Sequence, residues 1–277
     1  MAVNPLQQYF RQPKIYIDLP LSGVYSSKGT LTQYEKLPIF GMTGMDEIIM
    51  KTPDALLSGE SVAKVIASCC PAVIDSNKLC NFDVNKLLCA IKIATYGNDF
   101  DIDHVCSKCS TEATYTLSVG EFIEYYNNCK SDFKIELDDI VIKLRPLTYQ
   151  ESNKFDYDMF IVQKQLNQVV LADQTTPTDE NAILMADLFE KLNTIQSSIV
   201  FTAIDEIQTK TTVVTERDFI KEYLDNSDQV VYNKIKEKYI DIAKTYALPA
   251  KTVICGNCNH EDTVGVELNY TTFFEQA

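Results

Sequence analysis

Hydrophobic spacing divides the chain into segments of two kinds. Apolar residues recur at intervals near 3.6 in "SVAKVIASCC" (61–70), in "DVNKLLCAIKIATYG" (83–97) and through most of 151–247, which predicts helices. Apolar and polar residues alternate around 102–119 and 253–268, which predicts short strands. We therefore predict an α+β fold that is mostly helical, in which capped helix bundles accompany short β-hairpins.

Two predicted helix starts carry the same signature. Thr43 stands three residues before Asp46, and Thr148 stands three before Glu151, each ahead of an apolar run. A hydroxyl and an acid at this spacing cap the free amides of a first helical turn. Helices follow each start, and after them comes a CxxC turn between two strands. We interpret this order as a divergent internal duplication, for which coincidence among common local signals is the alternative.

The same pattern suggests how the chain is organised. We predict four parts: an N-terminal arm and hairpin (1–35), a first helical unit that ends in a CxxC knuckle (36–126), a helical middle section (127–250) and a second knuckle (251–277). Pro20, Gly23 and Gly29 are the turn signals of the first part, and Gly97 is a natural C-cap in the second. A break at Pro177 divides the helical middle section.

Charge narrows the classes of partner. The chain has 25 basic and 39 acidic residues, a net charge of -14 and a pI near 4.6. Proteins that grip phosphate backbones usually present a basic face, and none is visible, so we predict no nucleic-acid partner. The N-terminus lacks the apolar segment of a secretory signal, and no uncharged stretch approaches the ~20 apolar residues of a membrane span. We expect a soluble protein without a membrane partner.

Nine cysteines are scattered along the chain, and their odd number argues against a disulfide scaffold. Cys129 has no nearby cysteine and is interpreted as a core residue. Four others lie among apolar residues and are interpreted in the same way: Cys69, Cys70, Cys80 and Cys89.

The remaining four cysteines form two CxxC pairs, Cys106 with Cys109 and Cys255 with Cys258. Each pair lies on a tight turn between predicted strands, and four thiolates complete the tetrahedral coordination of Zn²⁺. Because such a site leaves no position for water or substrate, we predict a structural zinc in a split zinc ribbon. Residues 110–254 separate the two pairs. A site between them is still possible, because the entropic cost of closing a loop grows by only about 0.6 kcal/mol per doubling of its length.

Three other interpretations of the pairs were weighed. A redox CxxC usually opens a helix, which neither pair does, and haem attachment needs histidine where Asn259 stands. Two packed turns without metal remain an alternative. His104 and His260 flank the knuckles, either as hydrogen-bonding neighbours of the metal ligands or as exposed histidines.

No catalytic constellation is evident in the sequence. The chain has two histidines, both beside the knuckles, and no glycine-rich loop of a phosphate-binding type. An enzyme site in the helical middle section would rest on Asp187, Glu190 and Asp205, which stand at loosely helical spacing without a histidine. We therefore predict that the protein is not an enzyme. A zinc-ribbon protein that binds nucleic acid or transcription proteins remains the alternative.

Four stretches of the chain stand in a distinctive order. They are "LPLSGVYSSKGTL" (19–31), "LPIFGMTGMDEIIMKTPDALLSGESVAKVIASCC" (37–70), "LLCAIKIATYGNDFDIDHVCSKC" (87–109) and "CGNCNHEDTVGVELNYTTFF" (255–274). Tyr96-Gly97 and the closing Phe-Phe pair are the most specific pieces. This order resembles the small baseplate hub and hub-assembly proteins of T-even-type contractile phage tails. The first knuckle, "CSKCST", departs from the resemblance because it has Ser110 rather than glycine after its second cysteine.

The resemblance implies a virion or assembly protein without enzyme activity. It places the chain at the centre of the tail baseplate, or in the host cytoplasm during assembly, among hub, tube and tape-measure proteins. Phe273 and Phe274 would then anchor a partner, or else fold back onto the ribbon strands.

Overall fold

The computed structural model describes residues 4–26, 29–32, 36–52, 59–175 and 179–266. The chain divides into two compact units, of which the first is Met1–Cys129 together with Tyr246–Ala277 and the second is Lys130–Thr245. The second unit is therefore an insertion in the sequence of the first. Among the described helices, none is long and apolar enough to cross a membrane.

The described elements confirm an α+β fold that is mostly helical. The helices are α1 (Pro20–Tyr25), α2 (Gly44–Met50), α3 (Glu60–Cys69), α4 (Asn81–Tyr96), α5 (Val119–Asn128), α6 (Tyr149–Thr175), α7 (Asp179–Ala203), α8 (Arg217–Asp225) and α9 (Gln229–Thr245). The strands are β1 (Ile15–Ile17), β2 (Leu37–Ile39), β3 (Asp99–Val105), β4 (Glu112–Ser118), β5 (Lys134–Leu137), β6 (Ile140–Leu144), β7 (Ile204–Thr209), β8 (Val213–Val214), β9 (Lys251–Ile254) and β10 (Glu261–Val264).

Helix α4 is the centre of the first unit. Its residues Leu87 to Ile91 are fully buried, because apolar side chains lie on every side of the helix rather than on one stripe. Helices α1, α3 and α5 and strands β1 and β2 pack around it. The helix ends at Gly97, whose φ of +99° suits glycine and whose amide donates to the carbonyl of Ile93, as the C-cap prediction required.

Both predicted helix starts are confirmed. Thr43 N donates to the Asp46 carboxylate over 2.7 Å, and Thr43 Oγ1 accepts from Asp46 N. Thr148 and Glu151 exchange the same two bonds, at 2.9 and 3.2 Å. An arginine also contacts each capping acid: Arg11 at 3.5 Å from Asp46, and Arg145 through two bonds of 2.8 Å to Glu151. An internal duplication would explain why the two helix starts share these contacts, and it stays an interpretation.

The second unit combines an antiparallel sheet, in the order β5-β6-β7-β8, with helices α6 to α9. Helices α6 and α7 form a long antiparallel hairpin. Its seam is apolar and buries Val162, Leu166, Val169 and Leu188. Helices α8 and α9 pack against the C-terminal half of α7, where Ser197 Oγ lies 3.2 Å from the Tyr232 hydroxyl.

Strand β7 corrects the sequence prediction, which continued the helix through residue 204. Val200, Ala203, Ile204 and Ile207 are all buried and keep helical spacing across the junction, so periodicity alone could not find the change. Pairing with β6 imposes the strand, since Ile142 opposes Ile207 in the register. Tertiary pairing here overrides the local pattern.

The N-terminal hairpin is also corrected. Pro20 begins helix α1 instead of a turn, which suits a residue that lacks an amide hydrogen. Strand β1 pairs with β2, and the residue opposite Ile17 is Leu37, beyond the first 35 residues. The predicted break at Pro177 lies outside the described residues, and the four-part division of the chain stays a prediction.

Candidate metal centre

The first CxxC pair lies on a tight turn between β3 and β4. Cys106 N donates to the Thr111 carbonyl, and Ser110 N donates back to the Cys106 carbonyl, both over 2.9 Å. Ser110 has a φ of +56°, in the left-handed region, so that the chain can reverse directly after Cys109.

The second pair, between β9 and β10, repeats this geometry. Cys255 N donates to the His260 carbonyl and Asn259 N donates to the Cys255 carbonyl, again over 2.9 Å. Asn259 has a φ of +54°, which is close to the value at Ser110. Both turns therefore present two thiols on one side of a ribbon, as the spacing of the cysteines predicted.

The structure brings the two pairs together. Cys106 Sγ lies 3.7 Å from Cys258 Sγ, and Cys109 Sγ lies 3.6 Å from Cys255 Sγ. All four sulfurs lie within 4.8 Å of one another. With Zn–S bonds of about 2.3 Å, sulfurs at the corners of a regular tetrahedron lie about 3.8 Å apart. A disulfide would need about 2.05 Å, so the thiols are spaced for a shared cation rather than for oxidation.

The environment of the cluster shifts the pKa values of its thiols in opposite directions. Hydrogen bonds from the Thr111 side chain and amide lower the pKa of Cys109 to about 5, which favours the thiolate form that binds metals. Contacts with the amide of His260 lower the pKa of Cys258, but burial and the neighbouring thiols outweigh them and raise it to about 12. Crowded thiolates repel one another, and a divalent cation removes that repulsion.

Polar side chains cross from each knuckle to the other. Asp262 accepts hydrogen bonds from the amide, at 3.1 Å, and from the hydroxyl of Ser107. In the other direction, Asn257 Nδ2 lies 3.2 Å from Thr111 Oγ1 and 3.7 Å from Cys109 Sγ. Sequence reasoning missed these residues because the register of two ribbons that are remote in sequence has no local signal.

The two histidines lie beside Asp262 rather than among the sulfurs. His104 Nε2 is 3.1 Å and His260 Nε2 is 3.6 Å from its carboxylate. The Ser107 hydroxyl and amide, followed by the nearby histidines, hold the pKa of Asp262 well below its usual range. The four cysteines thus form the inner set, and Asp262 with the histidines surrounds it.

Within the described parts of the chain, the four cysteines are the only group of three or more histidine, cysteine or acidic side chains that is arranged to hold a metal. The acids considered for an enzyme site lie on two different elements. Asp187 and Glu190 are exposed on α7, whereas Asp205 belongs to strand β7.

The other cysteines behave as core residues. Cys69, Cys70, Cys80 and Cys89 are buried, and burial raises the pKa of each thiol, to about 11 for Cys70 and about 12 for Cys89. Thiols of this kind are poor nucleophiles. Cys129 is half-buried, and burial raises its thiol pKa as well.

Cysteine alkylation should separate these two classes. In metal-loaded native protein we expect neither class to react quickly. The metal protects the knuckle cysteines, and burial protects the core cysteines. A strong chelator should expose Cys106, Cys109, Cys255 and Cys258 to iodoacetamide while the buried thiols stay protected. Mass spectrometry of the digested protein reads each site. Equal labelling of both classes after chelation would show that the knuckles have no metal-dependent protection.

We expect Ser110 to make the first knuckle less stable than glycine would at the same position. A side chain in the left-handed region is strained, so Ser110→Gly is expected to stabilise the protein by about 0.5–1 kcal/mol. Asn259→Gly is the matched control at the equivalent position and should gain less, because asparagine tolerates this conformation. Urea unfolding midpoints measure both effects. A destabilised Ser110→Gly variant would contradict the strain argument.

A comparison with known protein families decides the identity of the chain. Residues 12–275 match the family model described as T4 bacteriophage base plate protein. The chain belongs to this family. No curated protein and no solved structure shows a significant match to it.

Membership confirms the resemblance that the sequence stretches carried, at the level of a T4-type phage baseplate protein. It implies a place in the tail baseplate and contacts with other tail proteins. The four clustered cysteines of this baseplate protein could bind a metal ion, and the chemistry of four sulfur donors fits zinc.

Proposed function

We propose that this baseplate protein is a non-enzymatic structural or assembly component of the baseplate hub, with a structural zinc at Cys106, Cys109, Cys255 and Cys258. Hub, tube or tape-measure proteins are its partners, and it acts in the virion tail or in the host cytoplasm during assembly. The match over residues 12–275 supports the baseplate role, and the sulfur spacing supports the zinc.

Zinc has a mechanical role in this proposal. The first unit is built from two stretches of chain between which the whole second unit is inserted. Cys106 and Cys109 belong to the earlier stretch, and Cys255 and Cys258 to the later one. A metal bound by all four would join the two stretches, in addition to side-chain contacts such as Phe82 stacked on Tyr246 and Lys251 paired with Glu121. Bound zinc would thus link the parts of the first unit that precede and follow the insertion.

The observation that carries the docking role is the outer surface of the α6–α7 hairpin. Large apolar side chains are exposed there, including Leu171 (64%), Ile183 (69%) and Phe189 (53%). Exposed large apolar side chains are available for contact with a partner, which makes those of this hairpin candidates for docking. We call Val170, Leu171, Ile183, Leu184 and Phe189 the hairpin surface.

Charge indicates what docks on the hairpin surface. Residues 165–190 contain five acidic residues and no lysine, arginine or histidine. A second copy would bring like charges together, whereas a tail protein with apolar side chains flanked by lysine or arginine is complementary. The partner in this proposal is a basic amphipathic segment of another tail protein.

An affinity pull-down from infected cells tests the proposed function. Tagged wild-type protein should recover hub, tube or tape-measure proteins, and a variant with Leu171→Ser and Ile183→Ser should lose them. Gln165→Ser with Ala186→Ser is the matched control, because both residues are exposed on the same helices. Recovery of polymerase subunits or of nuclease-sensitive material instead would overturn the proposal in favour of a nucleic-acid role.

A further inference from the structure

The two CxxC turns need something that fixes one against the other. Their ribbons, β3–β4 and β9–β10, are separate sheets that share no backbone ladder. The four sulfurs nevertheless face one another at tetrahedral spacing. Side-chain contacts between the ribbons can fix how the two knuckles face each other before a metal binds, and the crossing contacts of Asp262 and Asn257 are the candidates.

Asp262 makes the more substantial of these contacts. It lies on β10, and its carboxylate reaches the amide of Ser107, the residue directly after Cys106. Both carboxylate oxygens have partners, since one faces the Ser107 hydroxyl and the other the amide and the His104 ring. Its side chain is only 11% exposed, so water competes little for these partners.

Asn257 makes a weaker contact in the opposite direction. It is exposed, and its Nδ2 lies 3.2 Å from Thr111 Oγ1. A hydrogen bond from a neutral, water-exposed amide stabilises the contact less than the hydrogen bonds that a carboxylate accepts from a backbone amide and a hydroxyl. The register of the ribbons therefore depends chiefly on the carboxylate.

We infer that Asp262 is the positioning residue of the metal centre: by holding the Ser107 amide, it orients the first knuckle so that Cys106 and Cys109 face Cys255 and Cys258. This inference rests on the proposed metal site. Residues that orient metal ligands typically change metal affinity 10- to 100-fold when they are lost.

Metal affinity in matched variants tests this role. Zinc affinity is measured by competition with a chromophoric chelator for wild type, Asp262→Ala, Asp262→Asn and Glu261→Gln, an exposed neighbour on the same strand. We expect a loss of about 10- to 100-fold for Asp262→Ala. Asp262→Asn, which keeps one acceptor, should lose less affinity, and Glu261→Gln should match wild type.

A spectroscopic signature separates positioning from general stability. Cobalt(II) in a regular four-thiolate site gives an intense visible d–d spectrum, which should change shape in Asp262→Ala because the thiolates are no longer aligned. A residue that only stabilises the fold would leave this spectrum unchanged. If Asp262→Ala does not fold, Asp262→Asn and Ser107→Ala carry the same test.

The outcomes separate the two proposals. Metal binding by wild type with equal affinity and equal spectra in all variants would overturn the role of Asp262 and leave the metal centre intact. Failure of wild type to bind zinc or cobalt would overturn the metal centre and this inference with it. Weaker binding and an altered spectrum in Asp262→Ala, with a smaller loss in Asp262→Asn and none in Glu261→Gln, support both.

Discussion

If the four cysteines hold zinc as proposed, its removal is expected to unfold both ribbons and release the chain after Tyr246 from the rest of the first unit. Structural zinc binding is itself folding free energy, on the order of 10 kcal/mol in small zinc domains. A large-to-small core substitution costs about 2–5 kcal/mol by comparison. The effect should therefore exceed that of any single core substitution in this unit.

Hydrogen exchange before and after chelation measures this effect locally. Amides of Asp99–Val105, Glu112–Ser118, Lys251–Ile254 and Glu261–Val264 should lose protection. Amides of the α6–α7 hairpin should keep theirs, because its apolar seam lies within the second unit. Unchanged ribbon protection in demonstrably metal-free protein would mean that packed turns, and not a metal, hold the ribbons.

A cysteine substitution should reproduce chelation. Cys258→Ser removes one thiolate from the set and should lower the unfolding temperature and abolish tight zinc binding. Cys129→Ser is the matched control, because Cys129 is half-buried and lies outside the sulfur cluster. Equal effects of the two substitutions would contradict a special role for the four cysteines.

The second large effect is a pH dependence centred on Asp83. This residue lies in the buried helix α4 and accepts a 2.5 Å hydrogen bond from the amide of Ser22. Burial raises its pKa from 3.8 to about 6, against the opposing hydrogen bonds of Ser22 and the charge of Lys86. The folded protein therefore holds this proton at pH values where the unfolded chain has already lost it.

The sign follows from proton linkage. The pKa of Asp83 is higher in the folded protein than in the unfolded chain. The neutral carboxyl therefore makes its whole contribution to the free energy of unfolding at pH values below the pKa of the unfolded chain. This contribution is lost as pH rises through the folded pKa. Wild type should lose up to about 1.4 kcal/mol per pH unit from this residue between about pH 4 and 6. Asp83→Asn cannot ionise and should lack this contribution, while its amide oxygen still accepts from Ser22.

Urea unfolding at several pH values between about 4 and 7 measures the difference. The stability of Asp83→Asn relative to wild type should rise with pH across this window and then level off. Asp99→Asn, an exposed acid on β3, is the control and should show no such rise. A difference between Asp83→Asn and wild type that is constant with pH would contradict a raised pKa at Asp83.

Local signals account for most of what the sequence could predict. Helix α4 was predictable because its apolar periodicity and Gly97 lie within one continuous stretch, and both capped starts depend on residues three apart. The CxxC turns were likewise local, and two half-sites implied each other because zinc needs four ligands.

What could not be predicted depends on residues far apart in sequence. Strand β7 keeps helical spacing, and only its pairing with β6 makes it a strand. Pro20 is compatible with either a turn or a helix start, and the packing of α1 on α4 decides between them. Asp262 is one of two adjacent acids after the second knuckle, and nothing local distinguishes it. Its contact with Ser107, which stands 155 positions earlier, depends on how the two ribbons face each other.

The metal content of the protein tests the central claim most directly. The chain is purified under reducing conditions without added metal, its fold is checked by circular dichroism, and bound metal is determined by elemental mass spectrometry. The account predicts about one zinc per chain. When a chelator removes this zinc, the four knuckle cysteines should also lose their protection from alkylation. A correctly folded chain with no bound metal, whose ribbons keep their protection, would contradict it.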